Sequence, residues 1–206
     1  MAKVTKKVPA MRPLGRPRAF DPDAALDAAL SVFWERGYEG TSLSDLTKAM
    51  GINKPSLYAA FGDKASLFRK VVDRYMAKQA VVWDTAFQEP TARLAVERIL
   101  AASADALTSR LQPHGCLLVQ SALTCSQESD CIKQELALKR AASDSLFRER
   151  FARAQVEGEL APEVDVASLA RYFSTVLRGM SVEASAGATR QDLQNVIDLA
   201  MKAWPS

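Results

Sequence analysis

TSLSDLTKAMGINKPSLYAAFGDKASL, residues 41–67, is the stretch that decides how this chain is read. Ser42 followed three residues later by Asp45 has the spacing of a capping box, and Leu43, Leu46 and Met50 then recur at helical period. Gly51 ends that helix. Only Gly51-Ile52-Asn53 separates it from a second short helix, which carries Lys54 and Pro55 in its first turn, then Leu57, Tyr58 and Phe61, and stops at Gly62. Two helices joined by a three-residue turn containing glycine form a helix-turn-helix.

The pattern extends in both directions. Upstream, Phe20 precedes Asp21 as cap and Pro22 at the first turn, and Leu26, Ala29, Leu30 and Phe33 keep the helical period until Gly37. Downstream, Asp63 caps a fourth helix through Leu67, Phe68, Val71, Val72 and Tyr75. Pro90 and Thr91 open a helix expected to reach about Leu111, with Pro113-His114-Gly115 as its break. A short helix over residues 117–125, a long one over 130–157, and two more at about 165–186 and 190–204 follow. No alternating strand pattern occurs, so the expected fold is all-α. Its expected parts are an arm over residues 1–20, a three-helix head over 21–65, and a larger helical domain over 66–206.

Charge is unevenly placed. Lys3, Lys6, Lys7, Arg12, Arg16 and Arg18 lie in the first 20 residues with no acid among them, while the whole chain carries a formal net charge of only +3. The remainder is therefore net acidic, and a basic arm ahead of a folded head suits a polyanion. Gly15-Arg16-Pro17-Arg18 resembles the core of an AT-hook, with Leu14 where that motif has arginine, and it places Arg16 and Arg18 to follow a minor groove.

The second helix of the motif has the shape and donors of a reading helix. Lys54 and Ser56 sit in its first turn, Pro55 offers an apolar surface to a thymine methyl, and the Tyr58 hydroxyl can reach a phosphate. Lys64 adds a cation at the start of the next helix, where backbone N–H groups also favour phosphate.

These residues resemble the TetR/AcrR family of transcription regulators. The pattern comprises Phe33, Gly37-Tyr38, Thr41-Ser42, Leu46, the run from Gly51 to Tyr58, Phe61, Asp63-Lys64 and Leu67. The resemblance implies base-edge contacts from Lys54, Pro55, Ser56 and Tyr58, and phosphate contacts from Ser42, Ser44, Tyr58 and Lys64. Ala59-Ala60 departs from the larger side chains that many members carry there, which shifts weight to Lys54. The resemblance further implies a homodimer on a palindromic double-stranded operator, released by a small-molecule effector of unknown identity. The last two helices would supply the dimer interface: Leu169, Tyr172, Phe173, Val176, Leu177 and Met180, then Leu193, Val196, Ile197, Met201 and Trp204. An effector pocket among the middle helices has Trp83, Phe87, Leu107, Leu118, Phe147 and Phe151 as candidate walls, each of which also suits plain core.

Other function classes are disfavoured. Cys116, Cys125 and Cys131 form an odd set without C-x-x-C spacing, and His114 is the only histidine, so neither a metal site nor a histidine-based triad is expected. No glycine-rich phosphate loop is present, and no enzyme activity or cofactor is expected. Apolar runs are too short for a membrane span and no signal-peptide core follows the basic start, so a cytoplasmic protein is expected. An architectural DNA-binding protein remains an alternative, although it leaves the C-terminal two thirds without a purpose. A thiol sensor is another. Cys116 follows His114-Gly115 at a helix start, where N–H groups would lower its pKa, with Cys125 or Cys131 as resolving partner.

The arm has a direct test. Arg16→Ala combined with Arg18→Ala is expected to weaken operator binding and to reduce the slope of log affinity against log salt by about 1 for each phosphate that an arginine no longer neutralises. An unchanged slope would remove the arm from the interface.

Overall fold

The computed structural model describes residues 20–124 and 129–205, so Arg16 and Arg18 of the arm, and Cys125, lie outside the described residues. Among the described residues the elements are α1 (Pro22–Arg36), α2 (Leu43–Met50), α3 (Lys54–Phe61), α4 (Lys64–Ala86), α5 (Ala92–Leu107), α6 (Leu117–Thr124), α7 (Asp130–Val156), α8 (Val166–Ser185) and α9 (Arg190–Lys202). No strand occurs among them. None is long and apolar enough to cross a membrane.

Local chemistry sets most of the boundaries. The side chains of Asp21, Ser42, Asn53, Asp63, Thr91, Asp165 and Thr189 each accept a hydrogen bond from a first-turn N–H of the helix that follows. Such a cap contributes about 1 kcal/mol. At Ser42 the box is reciprocal, because Asp45 Oδ2 also accepts from the Ser42 N–H at 3.0 Å.

One boundary falls earlier than the sequence suggests: α5 stops at Leu107, not near Leu111. The Gly115 N–H donates to the Leu107 carbonyl at 3.2 Å and the Gln112 side chain donates to that of Ala106, so the loop folds back onto the helix end. Leu111 is left 97% exposed.

Two apolar clusters form the core. The first gathers Phe33 and Trp34 of α1, Leu46 of α2, Leu57 and Phe61 of α3 and Leu67 to Tyr75 of α4, and it continues into Leu117 and Leu118 of α6 and Ile132 and Leu136 of α7. The head is thus packed onto the middle helices. The second joins α4, α5, α7, α8 and α9 around Ile99, Phe147, Phe151, Phe173 and Ile197.

Ion pairs reinforce the first junction. Arg74 of α4 binds Asp27 of α1 through two nitrogens, at 2.8 and 2.6 Å, and reaches Asp23 at 2.8 Å. Lys78 also reaches Asp27, at 2.8 Å. The Arg74 guanidinium holds the Asp27 carboxyl well below the usual carboxylate range.

Gly115 sits at the tightest point of the fold. The Trp34 indole N–H donates to its carbonyl at 3.1 Å, and the N–H of the next residue, Cys116, donates to Ser181 Oγ of α8 at 2.9 Å. Its φ of 83° favours glycine, and an added Cβ would lie 2.6 Å from Gln120 Nε2 and 3.1 Å from the Ser181 carbonyl oxygen. Gly158 has a similar φ of 79° with nothing within 4 Å of such a Cβ. Gly115→Ala is therefore expected to cost about 1–3 kcal/mol in urea unfolding beyond the cost of Gly158→Ala, since it adds overpacking to the same backbone penalty. Equal costs would show that the junction yields freely.

Candidate nucleic-acid interface

The turn between α2 and α3 follows from two residues. Gly51 adopts the left-handed conformation with φ 64°, and the Asn53 side chain accepts the Ser56 N–H at 2.9 Å. Leu57 and Phe61 are then driven into the head core, with 0% and 6% exposure, which turns the opposite face of α3 outward. That face presents Lys54, Pro55, Tyr58 and Ala59, all exposed, while Ser56 is half-buried. Lys54 and Tyr58 are four residues apart and lie one above the other. Of the two alanines in this stretch, Ala60 packs against the core and only Ala59 belongs to the outer face. A methyl group there leaves the helix slim between Pro55 and the glycine stop.

The candidate phosphate ligands differ in how free they are. Ser44 is exposed at the start of α2, beside first-turn N–H groups that have no helical acceptor. The Ser42 hydroxyl is already committed, donating to Asp45 Oδ2 at 2.6 Å and accepting the Asp45 N–H at 3.1 Å. Lys64 is half-buried with its ammonium 4.4 Å from the centroid of the Tyr38 ring, and burial holds its pKa below the usual lysine value. Tyr38 therefore positions Lys64, a role that the sequence signalled only by placing Gly37-Tyr38 in the family pattern.

The head is not itself basic. Residues 21–65 hold four basic and seven acidic side chains. Asp21, Asp45 and Asp63 serve as caps or in the capping box, Asp45 is further paired with Arg36 at 2.8 Å, and Asp23 and Asp27 are bound by Arg74. Each of these acids is thus engaged within the fold, and Lys54 stands out on the reading face.

Behind the head lies a cavity of about 300 Å³ walled by α1, α4, α5, α7, α8 and the entry to α6. Trp83, Leu107, Leu118 and Phe147 line it. Phe87 and Phe151 are not among its walls: Phe87 packs against the core, and the Phe151 ring meets those of Phe173 and Trp204. Leu30 and Trp34 of the head reach it directly. Cys116 lines it as well, with the Tyr75 hydroxyl donating to Cys116 Sγ at 3.3 Å. Burial, and then the neighbouring Cys116, push the Tyr75 phenol well above its usual pKa, so it remains a donor. Cys131 is exposed at the start of α7, and His114 is exposed in the loop. No group of three metal-ligating side chains occurs among the described residues.

The apolar stripes of α8 and α9 divide between two surfaces. Leu169, Phe173, Met180, Leu193, Ile197 and Met201, expected at a dimer interface, are buried in the chain's own core, because α5 covers that side of both helices and α7 packs against α8. Trp204 packs there too, and Leu177 lines the cavity. Tyr172 and Val196 remain exposed at 39% and 40%, joined by Val182 at 41% and Leu199 at 65%, and Val176 is half-buried. Val182 and Leu199 were missed because they lie at the edge of the stripes that periodicity ranks highest.

Comparison with known proteins bears on the same regions. Residues 25–71 match "Bacterial regulatory proteins, tetR family", and residues 91–200 match "Tetracyclin repressor-like, C-terminal domain". The HTH-type transcriptional repressor ComR of Escherichia coli (strain K12) is 36% identical over 193 residues, covering 93% of this chain and 92% of ComR. BdcR of the same strain, also an HTH-type transcriptional repressor, is 30% identical over 194 residues, covering 92% and 91%. Among solved structures, a cysteine mutant of the TetR family transcriptional regulator CifR, complexed with 26-bp double-strand operator DNA, superposes with a TM-score of 0.90. It is 44% identical and covers 92% of this chain and 100% of CifR. With both halves matched and the helix-turn-helix in place, the chain belongs to the TetR family of bacterial transcription regulators.

Proposed function

We propose that this protein is a cytoplasmic repressor that binds a palindromic operator as a homodimer and is released when a small molecule enters the cavity. The observation that carries the reading is that one cavity is walled both by Leu30 and Trp34 of α1 and by Ser174, Leu177 and Arg178 of α8. An occupant would touch the head and the helix nearest a second subunit at once. Two heads attached to a common dimer bind only when their spacing matches the groove repeat, so a small tilt of α1 against α8 is enough to release DNA.

Lys54, Pro55, Ser56 and Tyr58 would read base edges. Ser44, Lys64 and Tyr58 would hold phosphates, with the Ser42 cap keeping the start of α2 in place. Arg16 and Arg18 of the arm would contribute the positive charge that the head lacks. The partner subunit would cover Tyr172, Val182, Val196 and Leu199, since neighbouring apolar side chains on α8 and α9 stay exposed in the single chain.

Operator titrations on two variants, each against the unmodified protein, test this. Lys54→Ala is expected to weaken specific binding by about 1–3 kcal/mol, as removing a side chain that meets a base or phosphate does, while leaving the dimer intact by light scattering. Val182→Asp with Leu199→Asp is expected to yield a folded monomer with little operator affinity. Full operator binding by that monomer, or by Lys54→Ala, would overturn the reading.

A thiol-based release is favoured by one observation, the Tyr75 hydroxyl 3.3 Å from Cys116 Sγ inside the cavity. A quinone arriving there would form an S–C bond, with the thiol proton ending on a quinone oxygen. Cys131 lies within electrostatic reach of Arg69 and Tyr38, and none of these three lines the cavity that Cys116 lines. Cys116→Ser is expected to abolish operator release by benzoquinone. Retained release would exclude the thiol.

A further inference from the structure

The cavity's polar groups can be taken one by one, and most are already satisfied within the protein. Asp144 of α7 binds Arg178 of α8 at 2.8 Å, Tyr75 donates to Cys116, the Cys116 N–H is taken by Ser181, and Lys78 is held by Asp27. On α7 and α8 two groups are left over. Arg140 of α7 makes only a long bond from Nη1 to the Leu118 carbonyl at 3.3 Å, and no carboxylate among the described residues lies within ion-pair distance of it. The second is Ser174 Oγ of α8, 2% exposed and without any hydrogen-bond partner.

Both are donors. The cavity therefore holds two guanidinium groups against one carboxylate, together with a spare hydroxyl, inside walls that are mostly apolar, with Gln79, Ser103, Gln112 and Ser143 as further neutral polar groups. Burial, and then the nearby Arg178 guanidinium, hold the Arg140 pKa below the usual arginine value, so a negative charge brought to that spot would be favoured. A buried donor without a partner is costly, and a ligand that satisfies it gains what the empty site lacks.

The positions of these donors constrain the ligand's length. Asp144 meets Arg178 and Phe151 meets Phe173, so the two helices run antiparallel. Arg140 lies four residues before Asp144, and Ser174 four residues before Arg178, which places them on opposite sides of the ion pair. They are thus separated by a little over two helical turns, about 12 Å of rise.

We propose, resting on the effector-release reading above, that the cavity takes a compact apolar carboxylic acid with a second polar group at its far end. The carboxylate pairs with Arg140 beside Arg178, and the distal group bonds with the Ser174 hydroxyl. An aryl-alkanoic acid carrying a ring hydroxyl has this form, with its ring lying against Trp83 and Phe147. Arg140 is the specificity residue for charge and Ser174 for the distal group.

The test uses the full-length protein, calorimetric titration, and three probes: 3-(4-hydroxyphenyl)propanoate, the alcohol 3-(4-hydroxyphenyl)propan-1-ol, and 3-phenylpropanoate. The hydroxy acid is expected to bind at least tenfold more tightly than the alcohol and severalfold more tightly than the deoxy acid. Arg140→Gln should erase the preference for the acid and Arg140→Lys should restore part of it, with helicity by circular dichroism confirming that both variants are folded. Ser174→Ala should erase only the preference for the ring hydroxyl. Equal or tighter binding of the alcohol, retention of the acid preference in Arg140→Gln, or no saturable binding of either acid would overturn the proposal. Operator release is measured separately with the same probes. Acids that bind without releasing DNA would sink the release reading and leave the ligand class standing, whereas release by the alcohol alone would do the reverse.

Discussion

The indole N–H of Trp34 donates to the carbonyl of Gly115, and the N–H of Cys116 donates to Ser181, so three segments far apart in sequence meet at one dipeptide. Trp34 belongs to the head and Ser181 to the helix that runs beside the exposed apolar face. Both hydrogen bonds are buried or half-buried, where an unpaired N–H would be costly. The arrangement permits no extra carbon at Gly115, because Gln120 and α8 already occupy that space. The dipeptide thus ties α8 and the α6 entry to α1 by direct hydrogen bonds and close packing.

The same junction explains why the cavity matters. Its walls are drawn from six separate segments, and the two that border the Gly115 dipeptide on either side are α1 and α8. Under the proposed release, a molecule bound there would fill the space between elements whose relative position would set the spacing of the two reading helices of a dimer. Differential contact with two states is the physical requirement for the proposed switch, and a cavity walled by both α1 and α8 is where a shift between them would alter the contacts of an occupant. The Arg74–Asp27–Lys78 cluster adds a second strut between α1 and the middle of the long fourth helix.

The reading face depends on the opposite kind of interaction, local and short in sequence. Gly51 turns the chain, Asn53 caps α3, and Leu57 with Phe61 anchors it, which leaves Lys54, Pro55 and Tyr58 outward as a consequence. The acids of the head are drawn into caps and ion pairs, so the surface that would meet DNA is less acidic than the composition of residues 21–65 implies.

What the sequence alone determined was every feature whose cause lies within about four residues. The capping boxes at Ser42 and Thr189, the glycine stops, the helix-turn-helix and the all-α class all belong here, because hydrogen bonds from i to i+3 and apolar repeats at helical period are written along the chain. Tertiary structure decided the rest. Periodicity identified apolar stripes on α8 and α9 but not which neighbour covers them, so Leu169, Phe173, Met180, Leu193, Ile197 and Met201 went to the chain's own core while Val182 and Leu199 stayed exposed. The early end of α5 came from the capture of the Leu107 carbonyl by Gly115. The pairing of Asp144 with Arg178, which leaves Arg140 and Ser174 unspent, joins residues 34 apart that no local pattern relates. Helices form from near neighbours, but a cavity is defined by what distant ones fail to fill.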